Sequence, residues 1–126
     1  MSYIHGWSVA TTDAFDEWFG ELGSDAQAEV MAKVGLLKVL GPELRRPHAD
    51  TLNGSAHRNM KELRADTAHL VMRIAFAFDP ERKAILLCAG DKAGVNQRRF
   101  YKQLIERADR LYERHLTALR RKAKGK

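Results

Sequence analysis

Between Asn59 and Lys92 three strand-forming runs follow one another with only turns between them, which narrows the available folds sharply. The runs occupy roughly residues 60–65, 69–78 and 82–89. A short Ala65–His69 link joins the first two, and an Asp79-Pro80-Glu81 turn joins the last two. Pro80 cannot donate to a strand ladder, so it punctuates the run. Alternation in the middle run puts Leu70, Met72, Ile74, Phe76 and Phe78 on one face and His69, Val71, Arg73, Ala75 and Ala77 on the other. The bulky set predicts a core face. Arg73 is then expected to project among small neighbours. The third run is apolar on both faces, Ala84, Leu86 and Cys88 against Ile85, Leu87 and Ala89, which predicts a central, covered strand.

A chain of 126 residues is expected to form one domain around one core. Its 44% apolar and 30% charged residues predict a globular rather than a disordered chain. No apolar run approaches the ~20 residues that span a bilayer. The stretch MSYIHGWSVATTDAF lacks the basic start and apolar block of a secretory signal. No membrane partner is expected, and the expected location is cytoplasmic. The single cysteine, Cys88, excludes an intrachain disulfide and is expected in the core. The net charge of +6 is unevenly spread: residues 1–32 hold six acids and no Lys or Arg, whereas residues 92–126 hold twelve Lys/Arg against three acids. This polarity predicts a polyanionic partner on one side. The basic end, Arg120 to Lys126, reads either as part of that surface or as a frayed, solvated tail.

Residues 3–10 read as a short first strand. Thr12 or Asp13 caps a helix to about Leu22, with Phe15, Trp18, Phe19 and Leu22 as its apolar stripe. Ser24 and Gln27 have capping-box spacing and open a second helix to about Leu40, closed by Gly41-Pro42. Together these helices form a hairpin that needs a sheet to cover. Residues 41–59 lack a period and read as a long, basic surface connection. His48 and His57 stand nine residues apart without a thiol, so no metal site is expected. The last strand ends at Gly90-Asp91-Lys92-Ala93-Gly94, a turn whose amides can approach a phosphate. Residues 97–119 form a long helix with Phe100, Leu104, Ala108, Leu111, His115 and Leu119 along its buried stripe. The predicted fold is α+β: a β-α-α-β-β-β-α chain whose small antiparallel-rich sheet packs against an N-terminal helical hairpin and a C-terminal helix.

Set on that architecture, Leu52-Asn53-Gly54, Met60-Lys61-Glu62-Leu63-Arg64, Val71-Met72-Arg73-Ile74-Ala75-Phe76, Gly90-Asp91-Lys92 and Arg99-Phe100-Tyr101 resemble toxins of the RelE/ParE superfamily, in its HigB-like, phage-type branch. The resemblance spans roughly residues 40–116. It implies a toxin domain over residues 1–116 and a basic tail over 117–126. It also implies a type II toxin–antitoxin pair, with a cognate helix-turn-helix antitoxin through which alone operator DNA is met. RelE-like members cut mRNA in the ribosomal A site, whereas ParE-like members poison gyrase. A gyrase poison and a non-catalytic nucleic-acid-binding module therefore stay open as alternatives. Carried over by position, the functional set is Arg64, Arg73 and Lys92, joined by Arg98 or Arg99 and by Tyr101. The lysine-rich second strand of the RelE type is here Lys61-Glu62-Leu63-Arg64, an acid amid bases, which leaves the general base unassigned.

Residue chemistry points the same way. RNA is cut without metal or cofactor when its 2′-OH attacks the adjacent phosphorus and leaves a 2′,3′-cyclic phosphate. Arg64 and Arg73 on adjacent strands can clamp phosphate oxygens, and Lys92 adds a third cation. Cations crowded together lower one pKa towards the working pH. Tyr101 or Phe100 can stack on an unpaired base, a contact worth ~1–3 kcal/mol. The expected catalytic residues are thus Arg64, Arg73, Lys92, Arg99 and Tyr101, with Lys61, His69, Arg98 and Arg58 as RNA contacts. Each has a plainer reading. Arg64 can pair with an acid on a neighbouring strand, Arg98 and Arg99 can be solvated helix-start residues, and His69 can be an ordinary strand-end histidine.

Overall fold

Alternating apolar runs pair into one five-stranded sheet in the computed structural model, which describes residues 6–125. In chain order the elements are β1 (Ser8–Thr11), α1 (Asp13–Gly20), α2 (Ser24–Leu40), a 3-10 turn (Gly41–Glu43), β2 (Ala49–Thr51), β3 (Lys61–Asp66), β4 (Val71–Phe78), β5 (Lys83–Asp91) and α3 (Gln97–Lys124). The sheet order is β1-β5-β4-β3-β2. β1 runs parallel to β5, and the other pairs are antiparallel. The expected α+β fold is therefore present with one strand more. Residues 41–59 are not a plain surface connection: Ala49–Thr51 pairs with Lys61–Leu63 at the sheet edge, and Leu44, Ala49 and Leu52 are buried. Of the first strand expected over residues 3–10, Ser8–Ala10 lie in β1, and residues 3–5 lie outside the described residues.

Thr12 caps α1, its Oγ1 accepting from the Phe15 amide at 3.1 Å. The capping box expected at α2 does not form. Gly23 occupies the cap position, and Gln27 Nε2 donates to the Phe19 carbonyl at 2.9 Å, fastening α2 to α1 instead. α2 stops at Gly41, whose φ of +54° and contact with Trp7 admit no side chain; a Cβ there would lie 2.2 Å from Trp7 Nε1.

The two faces of the sheet are covered differently. Phe15, Val30, Val34 and Leu37 of the hairpin pack on Leu63, Met72, Ile74, Phe76 and Leu86. On the opposite face, Leu104, Ala108 and Tyr112 of α3 pack on Ala75, Ala77, Ile85, Leu87 and Cys88. A register shift between Ala75 and Phe76 puts the consecutive residues Leu87 and Cys88 both on the α3 side. Burial there pushes the Cys88 thiol up to about 11, so it stays protonated and inert. Tyr112 rather than Leu111 completes the buried stripe of α3, donating its hydroxyl to the Phe78 carbonyl at 3.0 Å. α3 runs unbroken to Lys124, so most of the basic end is helical. Among the described residues no helix is long and apolar enough to cross a membrane.

Candidate active site

Strand parity decides which charges meet. Glu62, Arg64 and Asp66 share one face of β3, and register sets Arg64 opposite Arg73 and Glu62 opposite Ala75 on β4. This is the face that α3 covers, at the end where β4 begins and β5 finishes. On the far side of Arg73 the register partner is Gly90, against which Phe100 packs; a Cβ at Gly90 would stand 3.0 Å from the Phe100 ring. A glycine there lets the first turn of α3 close down on the strand end, which carries Tyr101 over Glu62. Asp91 fixes the following turn by accepting from the Val71 and Ala93 amides at 2.9 Å each. Lys92 is thereby held beside Arg73.

Glu62 is the hub. It is 3% exposed, and its carboxylate accepts from Tyr101 Oη at 2.7 Å and from Arg64 Nε at 3.0 Å. Arg73 is 7% exposed and donates Nη1 to Asp66 at 2.7 Å and to the Met72 carbonyl at 2.9 Å. Its Nε lies 3.9 Å from Glu62 and has no hydrogen-bond partner among the described residues. Arg64 also reaches Asp50 at 3.3 Å, and Asp50 is paired more closely with Arg46 at 2.7 Å. The Arg46 and Thr51 hydrogen bonds hold the Asp50 carboxyl below its usual range. Two guanidiniums directly opposed across a sheet repel, and Glu62, Asp66 and Asp50 offset that repulsion.

Lys92 and Tyr101 form the open side. The Lys92 ammonium stands over the Tyr101 ring, 5.2 Å from its centroid. Burial, together with Arg73 and Arg64, pulls the Lys92 pKa below the ordinary lysine value. Burial and the neighbouring Glu62 carboxylate push the Tyr101 phenol up to about 12. Glu62, Arg64, Lys92 and Tyr101, with Asn53 and Gln97, line an open cleft of about 300 Å³ between the β2–β3 connection and α3. A second groove, lined by Asn53, Gln97, Arg98, Tyr101 and Lys102, adjoins it along shared walls.

Of the expected residues, Arg64, Arg73, Lys92 and Tyr101 converge. Arg73 is not the free cation among small neighbours that alternation suggests; it is buried and ion-paired. Arg98 lies exposed on the adjoining groove, and Arg99 is exposed one residue further along the first turn of α3. Three residues fall elsewhere. Lys61 shares the strand face of Leu63 and Ala65, opposite to Arg64. Arg58 is exposed in the connection leading to Asn59, which is fastened to the Phe78 end of β4. His69 sits exposed in the Thr67–Leu70 turn rather than on β4. Sequence reasoning misses Glu62 as a site residue, although its spacing of two from Arg64 already places both on one strand face.

Comparison with known proteins agrees with this architecture. Residues 17–113 match the family model described as phage-derived protein Gp49-like (DUF891). The chain is 48% identical over 103 residues to the "Putative toxin HigB3" of Mycobacterium tuberculosis, covering 82% of this chain and 88% of that protein. It is 40% identical over 112 residues to the "Putative toxin HigB2" of the same organism, covering 88% of this chain but only 55% of that longer protein. The fold is similar to that of a double arginine-to-alanine mutant of the E. coli toxin RelE in the free state, with a TM-score of 0.58 and 10% identity over 79% of this chain and 94% of that one. With the family model covering most of the chain, this protein belongs to the phage-derived Gp49-like family, among HigB-like members with a RelE-type fold.

Proposed function

We propose that this chain is the toxin of a type II toxin–antitoxin pair and acts as a metal-independent endoribonuclease on mRNA held by the ribosome. The observation that supports it most is convergence. Arg64 from β3, Lys92 after β5 and Tyr101 from α3 meet at one open cleft around the buried Glu62, with Arg73 from β4 buried behind it, 3.9 Å from the same acid. The names of the HigB relatives support the toxin role. In this reading the scissile phosphate enters beside Arg64 and Arg73, whose guanidiniums take its oxygens as charge builds on the phosphorane-like transition state. The 2′-oxygen attacks phosphorus and the P–O5′ bond breaks. Lys92, with its lowered pKa, gives a proton to the departing 5′-oxygen. An unpaired base stacks in the groove beside Tyr101 and Arg98. A cognate helix-turn-helix antitoxin neutralises the toxin in the cytoplasm and alone brings it to operator DNA.

The test is a translating extract given the purified protein. Cuts within codons of the message, lost with Arg64→Ala, are expected. Intact message with gyrase-linked DNA breaks would contradict the proposal.

A further inference from the structure

The proposed cleavage needs a group to take the proton from the 2′-OH, and this inference rests on that reading. We infer that Glu62 is the proton acceptor, acting through Tyr101, and that an incoming phosphate draws the two arginines away from it. The 2′-OH hands its proton to Tyr101 Oη while Tyr101 hands its own proton to Glu62 Oε1, 2.7 Å away. The 2′-oxygen bonds to phosphorus, and Lys92 protonates the 5′-oxygen as the P–O5′ bond breaks. Glu62 ends as a carboxylic acid and Lys92 as an amine. The two then exchange a proton through solvent in the cleft, which both residues line.

Three features of the cluster carry this. First, Glu62 touches the cleft with only 3% of its surface exposed while the less buried Tyr101 lines the same cleft and holds its hydroxyl 2.7 Å from the carboxylate, so the phenol offers a hydroxyl in the cleft the larger target. Second, the phenol is held protonated and pointed at the acid, which suits a relay and not a free tyrosinate base. Third, Arg73 Nε is buried without a hydrogen-bond partner among the described residues and lies 3.9 Å from Glu62, beside the acid and the Tyr101 phenol, so its donor capacity is not used up within the protein. The groups facing Glu62 are Arg64 from its own strand, Arg73 from β4, Lys92 from the turn after β5 and Tyr101 from α3. Asp50 and Asp66 hold the outer ends of the two arginines. A phosphate satisfies both guanidiniums better than one shared carboxylate does. A buried carboxylate relieved of cationic partners takes a proton more readily. The base is thus engaged by the substrate it acts on.

Single-turnover cleavage of ribosome-bound message by wild type, Glu62→Gln, Glu62→Asp and Tyr101→Phe tests this, with pH profiles. Glu62→Gln keeps the acceptor for Tyr101 and should lose about 100-fold or more, the scale of general acid–base catalysis, together with the acid limb of the profile. Tyr101→Phe should match it, and Glu62→Asp should recover part of the rate. In wild type the acid limb of kcat should lie at higher pH than that of kcat/KM. A second readout needs no cleavage: the Tyr101 Cζ resonance should titrate at distinctly lower pH in Glu62→Gln. Glu62→Gln within threefold of wild type with its acid limb intact, or an unchanged Tyr101 titration, overturns the relay while leaving the ribonuclease reading in place. Absence of cleavage by wild type overturns both.

Discussion

α3 covers two buried polar clusters at opposite ends of one sheet face, and they are built differently. At the far end, Asp79 is fully buried and accepts from His115 at 2.7 Å and from the Glu81 and Lys83 amides at 2.9 Å each. The cluster is small, locked to a β-turn and complete around its acid. The near end gathers three cations, from β3, β4 and the turn after β5, around Glu62, leaves Arg73 Nε without a partner among the described residues and opens to a cleft. At the far end His57 Nε2 is also buried without a hydrogen bond among the described residues, edge-on to Tyr112 and 3.9 Å from Glu113. A neutral imidazole can leave one nitrogen as a bare acceptor, whereas a guanidinium N–H carries charge and costs more to leave unmet. A closed network stabilises; an open, charged one invites a ligand. On the proposed reading the far end is structure and the near end is chemistry.

If that contrast is right, substitutions should separate activity from stability by position. Arg64→Ala removes a transition-state donor and should cut cleavage per folded molecule about 100- to 1,000-fold, far beyond what the lost Glu62 hydrogen bond takes from the thermal midpoint. Cleavage kinetics and calorimetry on one sample decide it. Asp79→Ala should do the reverse. It strands buried donors, each costing about 1–3 kcal/mol, so the midpoint falls while cleavage per folded molecule holds.

Acid should find the far end as well. Burial alone would raise the Asp79 carboxyl, but the His115 and backbone hydrogen bonds outweigh it and hold it below the ordinary 3.8. A carboxyl depressed in the folded state stabilises above its unfolded value, and that contribution is lost as pH falls through the folded one. The contribution of the Asp79 carboxylate should therefore be present above about 4 and be lost as pH falls below it, and Asp79→Asn should remove that drop. Binding of single-stranded RNA should weaken with salt, log K falling by about 0.7 per phosphate neutralised for each tenfold rise in salt, and Lys92→Gln should lower that slope by one contact. Smallest of all, Lys61→Ala and Arg58→Ala should each stay within about twofold of wild type, as ordinary surface changes do. A large loss from either would mean that the substrate wraps beyond the near end.

The fold is legible in the sequence where side-chain period and burial coincide. β4 and β5 are readable because β4 alternates and β5 is apolar on both faces, and α1 because Thr12 precedes a clean stripe. β2 is not. Three residues at a sheet edge owe their strand character to pairing with β3, a tertiary fact that local propensity does not hold. The Gln27 spacing misleads because its amide finds a carbonyl on the neighbouring helix rather than its own cap. At the site, the adjacency of their strands brings Arg64 to Arg73 as expected, but the acid between Lys61 and Arg64 looks like dilution of a basic strand. Only the register with β4 and the approach of Tyr101 from 39 residues away turn Glu62 into the centre.

The central claim, that this cationic cluster cleaves RNA by its own 2′-OH, is tested most directly by the chemistry of the ends it leaves. Message recovered from treated ribosomes should carry 2′,3′-cyclic phosphate on the upstream fragment and a 5′-hydroxyl on the downstream one, both absent with Arg64→Ala. Fragments ending in a 3′-hydroxyl and a 5′-phosphate, or message left whole by the wild-type protein, would contradict it.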